Sequence, residues 1–151
     1  MNLKLVLCSI SAALTLPLAA CADTPGKHPG YLHALTDLRD ARWNLEHRSK
    51  DEAVRHQEDI AVAEIDRAIE EARHAAIEDG KDVYKNPVED ASLDGGGHLR
   101  HAKELLTKAH EDISGEEDNP ESREIRHRVL QHIDAAIDAV RDAKFDATHH
   151  E

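Results

Sequence analysis

Apolar residues return every three or four positions in four separate stretches of this chain, and that spacing constrains its fold more than any other feature. At about 100° per residue, Tyr31, Ala34, Leu35, Leu38, Ala41 and Leu45 fall on one stripe of a helix. Val54, Ala61, Ile65, Ala68, Ile69, Ala72 and Ala76 form a second stripe. Leu99, Ala102, Leu106, Ala109 and Ile113 form a third, and Val129, Ile133, Ala136, Ile137 and Val140 a fourth. The aromatic residues are Tyr31, Trp43, Tyr84 and Phe145, so the core has to come from Leu, Ile, Val and much Ala. Such small side chains favour closely packed helices over a β-sandwich.

Punctuation between the stripes sets the expected boundaries. The first helix starts after Pro29 and runs to about Arg48. A capping box from Ser49 to Glu52 opens the second, and Gly80 stops it. The turn between them is tight, which makes an antiparallel hairpin. The stretch from Lys81 to Gly97, with Asn86-Pro87 and Gly95-Gly96-Gly97, reads as a long connection. Asn119-Pro120 then caps and opens the fourth helix. The expected fold is an all-α, antiparallel four-helix bundle over residues 31–147, with hairpins 31–79 and 99–147, a linker 80–98 and a short tail 148–151.

A shift of 68 residues lays the first two helices over the last two without a gap. Glu64-Ile65-Asp66-Arg67-Ala68-Ile69 falls on His132-Ile133-Asp134-Ala135-Ala136-Ile137, and His33-Ala34 falls on His101-Ala102. Leu38 matches Leu106, Ala41 matches Ala109, and Arg55 and Arg73 match Arg123 and Arg141. Apolar spacing can produce the Ala and Leu matches but does not require the His, Asp and Arg ones, so the chain reads as a duplicated helical hairpin.

Before the bundle, residues 1–20 carry one Lys, an apolar run and then small residues, the pattern of a signal peptide too short to span a membrane. Its end, Leu18-Ala19-Ala20-Cys21, looks like a bacterial lipobox, in which Cys21 takes a diacylglycerol and becomes the mature N-terminus. Cleavage after Ala20-Cys21-Ala22 is the alternative and releases a soluble periplasmic protein. All four lipobox positions match, which favours the lipid anchor, with residues 22–30 as a tether. Ala22 stands where an Asp often retains a lipoprotein in the inner membrane, so the outer membrane is the expected location. Cys8 leaves with the leader, so the mature chain has no intramolecular disulfide and depends on helix packing.

The formal net charge is −12 at pH 7, and loss of Lys4 with the leader makes it one unit more negative. That balance excludes nucleic acid as a partner and repels anionic headgroups. The 12 histidines would bring the mature chain close to neutrality if all were protonated, which raises pH sensing as a weaker third reading.

The chain contains no G-x-S-x-G, no H-E-x-x-H, no P-loop and no mature cysteine nucleophile beyond Cys21, so an enzyme is not expected. Haem is not expected either, with no C-x-x-C-H and no Met after Met1. A hairpin centred between residues 49 and 50 sets His33 level with Asp66, and its counterpart sets His101 level with Asp134 at the same end of the bundle. Imidazole and carboxylate together suit Zn²⁺ or Cu²⁺, and His98 stands close enough in sequence to join them. Glu71 with His74, and Glu124 with His127, have the Glu-x-x-His spacing of di-iron bundles but lie towards solvent on the helical wheel. Glu58 falls on the inner face of the second helix near its start, where it is expected to reach solvent at the rim beside Arg126.

The stretch His28-Pro29-Gly30-Tyr31-Leu32-His33-Ala34-Leu35-Thr36-Asp37-Leu38-Arg39-Asp40-Ala41-Arg42 resembles the opening of a family of exported, uncharacterised bacterial helical proteins. Asp79-Gly80-Lys81, Glu116-Glu117-Asp118-Asn119 and the two Ile-Asp elements resemble its later signatures. The resemblance implies an envelope helical bundle and singles out His28, His33 and Asp37; it implies no activity. The expected function is that of a non-enzymatic cell-envelope lipoprotein with a protein-interaction, structural or stress role, as a monomer or a homodimer. The alternative is a metal-binding or metal-buffering protein that uses His33, Asp66, His101, Asp134 and His98.

Overall fold

The computed structural model describes residues 30–46, 50–78, 80, 82–84, 97–115 and 120–149. Four α-helices account for nearly all of them: α1 Gly30–Glu46, α2 Glu52–Glu78, α3 His98–Ile113 and α4 Pro120–His149. The leader, Cys21, most of the tether, Asn119 and the C-terminal pair 150–151 lie outside the described residues. Among the described residues, no helix is long and apolar enough to cross a membrane.

The helix ends follow from local chemistry, with one correction. The free amides that open α2 are taken by Asp51, whose Oδ1 accepts from the N–H of Ala53 at 2.8 Å and of Val54 at 3.3 Å. The cap is therefore the Asp beside the helix, while Ser49 lies outside the described residues. At the other end of α2, Gly80 has φ 72° and donates its N–H to the Ile77 carbonyl at 2.9 Å. That left-handed stop is open to glycine at no steric penalty.

Each apolar stripe turns inward. Leu35, Leu38, Leu45, Ile65, Leu105, Leu106 and Ile133 are fully buried, and alanines fill the closer approaches. Tyr31 joins this core, while Trp43, Tyr84 and Phe145 lie exposed. Val83 also packs into the core, so the start of the long connection lies against the bundle.

Packing order fixes where polar residues meet. Helix α1 packs on α2 and α3, and α4 packs on α2 and α3; α1 and α4 stand diagonally, as do α2 and α3. Gly30, which opens α1, lies so close to the carbonyl of Asp112 near the end of α3 that a Cβ there would overlap it. Asp37 faces Lys108 further along, so α1 and α3 run in opposite directions. Glu71 meets Arg128 and Glu64 meets His132, which sets α2 and α4 in opposite directions too. Glu58 and His98, both near helix starts, touch across the diagonal, so α2 and α3 begin at the same end. The end of α2 and the start of α3 therefore lie roughly 30 Å apart along the bundle, at 1.5 Å per helical residue.

Candidate functional site

Polar side chains inside an alanine-rich core need partners, because a buried charge without one carries a large desolvation penalty. Among the described residues, Asp37, Glu58, His101 and Ser122 are the buried polar ones. Glu58 lies on the inner stripe of α2 between Val54 and Ala61, 1% exposed, with its Oε1 2.7 Å from Nε2 of His98. It does not reach the rim beside Arg126. That guanidinium instead donates to the carbonyls of Ile113 at 2.9 Å and Ser114 at 2.7 Å, where α3 ends. A cation at a helix C-terminus satisfies carbonyls that the helix leaves open.

Asp37 stands in the α1/α3 contact, 2% exposed, with Lys108 Nζ 3.6 Å from its Oδ2. Burial pushes its carboxyl up to about 6, Lys108 pulls it back, and the neighbouring Asp112 pushes it further up. His101 is buried one turn into α3, and neither of its ring nitrogens has a hydrogen-bond partner. Its nearest acid is Glu104, whose Oε2 lies 3.9 Å from Nδ1.

A second set of polar contacts runs along the α2/α4 seam. Arg128 grips Glu71 with two hydrogen bonds of 2.9 Å each, and His132 Nδ1 lies 2.7 Å from Glu64 Oε2. The Arg128 hydrogen bonds hold the Glu71 carboxyl below its ordinary range despite partial burial. Burial raises the Glu64 carboxyl, but hydrogen bonds from His132 and Arg67 more than offset it, so it too lies low.

The expected metal ligands do not assemble along these helices. Asp66 is held by Arg42, whose Nε lies 2.7 Å from Oδ1, so Arg42 takes the place expected of His33. Asp134 faces His110 at 3.4 Å and not His101. Because α1 and α3 are antiparallel, His33 lies where α1 begins and His98 and His101 lie at the opposite end, where α3 begins. His98 is engaged by Glu58. Glu71 of the first Glu-x-x-His spacing is bound to Arg128, while His74, Glu124 and His127 are exposed. Among the described residues, no group of three or more His, Cys, Asp or Glu is placed to hold a metal ion. Cys21 lies outside the described residues.

Asp37, Arg42 and the Glu64–His132 contact escape a reading of the sequence by stripes. For Asp37 the signal was present: it follows Ala34 by three and precedes Ala41 by four, so it borders the apolar stripe. No family model, curated protein or solved structure matches the chain.

Proposed function

We propose that this chain is a non-enzymatic lipoprotein of the bacterial cell envelope, anchored through Cys21, whose bundle is a protein-interaction or structural, stress-related module. The observation that carries the reading is Leu18-Ala19-Ala20-Cys21 at the end of an apolar leader, followed by residue 30 by a charged, all-helical bundle. A lipid on Cys21 and a tether of residues 22–30 would hold that bundle at the periplasmic face, with Ala22 favouring the outer membrane. Cleavage after Ala22 would instead release it into the periplasm.

The bundle is best understood as a duplicated hairpin. Support comes from contacts that repeat at the 68-residue shift: Arg42 against Asp66 in the first half and His110 against Asp134 in the second. Glu64 meets His132, its own counterpart under that shift, as expected near a pseudo-two-fold axis. Leu38 and Leu106, also counterparts, are both fully buried in the core. The metal-buffering alternative with Zn²⁺ or Cu²⁺ has no comparable support, since His33, Asp66, His101, Asp134 and His98 stand with separate partners or at opposite ends.

The anchor is tested by expressing the full chain in a bacterium fed an alkyne-bearing fatty acid. Label on the wild-type chain, its loss in Cys21→Ser and recovery of the wild type with membranes are the expected results. An unlabelled wild-type chain released by osmotic shock would replace the lipoprotein by a soluble periplasmic protein.

A further inference from the structure

One groove reverses the charge of this acidic chain. Between α3 and α4, Arg100, Lys103 and Lys108 stand beside Arg141 and Lys144, against the two acids Glu104 and Glu111. The molecule as a whole carries −12 at pH 7, so this is a local excess of positive charge on a negative surface. Arg100 is partnered by Glu104 at 3.1 Å, Arg141 by Asp138 at 2.7 Å and Lys108 by Asp37 at 3.6 Å. Lys103 and Lys144 are exposed and enter no ion pair among the described residues. Among the described residues, two ammonium groups in this groove thus stand outside any ion pair.

The rest of the lining is mainly carbon. Leu99 and Val140 line it, and its lysines and arginines carry methylene stems below their charged heads. Its volume is about 650 Å³, inside the range of roughly 300–1,000 Å³ typical of small-molecule sites.

We propose that the α3/α4 groove binds an amphipathic monoanion of the long-chain carboxylate class, with its head on Lys103 and Lys144 and its tail along Leu99 and Val140. The acidic surface beyond the groove selects this class over an acidic peptide. A ligand with one charge at one end meets the cations and places only hydrocarbon elsewhere, whereas a peptide with several carboxylates would press the remainder against like charge.

The probe is laurate, below its micelle concentration, displacing a fluorescent anionic amphiphile from the leader-free chain. One-to-one displacement that weakens in high salt is expected. Lys103→Glu with Lys144→Glu should weaken laurate at least tenfold, while Lys50→Glu with Arg123→Glu, an equal charge change away from the groove, should leave it within twofold. Helical circular dichroism and a thermal midpoint show that each variant is folded. Dodecyltrimethylammonium, with a chain of the same length and the opposite charge, should not compete. Absence of saturable laurate binding, or equal loss in both double variants, would overturn the proposal. Equal displacement by inorganic phosphate would reduce the groove to a plain anion patch and overturn the role of the tail; equal displacement by an acidic peptide would overturn the choice of ligand.

Discussion

The two antiparallel contacts on which the bundle rests solve the same packing problem with different materials. Helices α1 and α3 bury the leucines Leu35, Leu38, Leu105 and Leu106 beside Ala34, Ala41, Ala102 and Ala109, and an acid is enclosed among them. Helices α2 and α4 bury Ala61, Ala68, Ala72, Ala136 and Ala143 among the β-branched Ile65, Val129 and Ile133, and the Glu64–His132 contact and the Glu71–Arg128 ion pair stay on the partly exposed flank. The contrast shows where this chain tolerates charge. A flank pair keeps much of its hydration and is nearly neutral for stability, whereas Asp37 gives up its water for a lysine 3.6 Å away.

If bulk carries the α1/α3 contact, truncation there should have the largest effect. Leu106→Ala is expected to destabilise the leader-free chain by about 4 kcal/mol, through lost burial and the cavity left behind. A urea midpoint, with its slope unchanged, measures it; a loss below about 1 kcal/mol would mean that the contact collapses around the gap and that bulk is not what holds it.

Asp37 sharpens the comparison through pH. Its folded-state carboxyl titrates at about 6 against an ordinary 3.8, so the folded chain holds the proton more tightly than the unfolded one. Stability from this group is fully present below about pH 4 and is lost as pH rises through about 6, a change of about 3 kcal/mol. Asp37→Asn should remove that slope and raise the thermal midpoint at pH 7.5 relative to wild type. At the 68-residue shift Asp37 aligns with the buried Leu105, so Asp37→Leu is expected to be tolerated as well. A slope unchanged in Asp37→Asn would assign the pH dependence to another group.

On the alanine-built contact the opposite change is the informative one. Ala68 is fully buried where α2 packs into the core, and Ala68→Leu should destabilise by about 2 kcal/mol through overpacking. Tolerance with no loss would mean that α2 and α4 are less closely packed than their small residues imply.

How far the sequence reveals this arrangement depends on the scale of the feature. The four helices are legible because each is bounded by a stop or a cap and carries a continuous stripe; Gly80 and Pro120 stand where the chain has to turn. Side-chain partners are less legible, because a hairpin centre estimated from the turn assumes two helices that leave it symmetrically. Helix α2 has 27 residues and α1 has 17, and Asp66 meets Arg42, nine positions beyond His33. Glu58 and His98 meet across the diagonal, a contact that no pairwise hairpin geometry contains. Asp37 was hidden by its type, since an acid beside an apolar stripe reads as the edge of a solvated face until the facing helix covers it.

The smallest expected effect belongs to the α2/α4 flank, and its sign distinguishes it from Asp37. The Glu71 side chain is 26% exposed and that of Arg128 is 40% exposed, so solvent screens their attraction and Glu71→Gln should barely move the thermal midpoint at pH 7. What it does move should run the other way with pH. The hydrogen bonds from Arg128 hold the Glu71 carboxyl below its ordinary value, so its contribution is present above that value and disappears as pH falls through the lowered one. Wild type and Glu71→Gln should therefore converge in strong acid and separate slightly at neutrality. Asp37→Asn should also converge with wild type in acid, but at neutral pH it departs upward in stability where Glu71→Gln departs downward. Thermal midpoints of both variants across the same pH series compare the two contacts directly. A downward departure of Asp37→Asn at neutral pH would mean that Lys108 compensates the buried acid in full, and the contrast between an enclosed and a flanking charge would no longer hold.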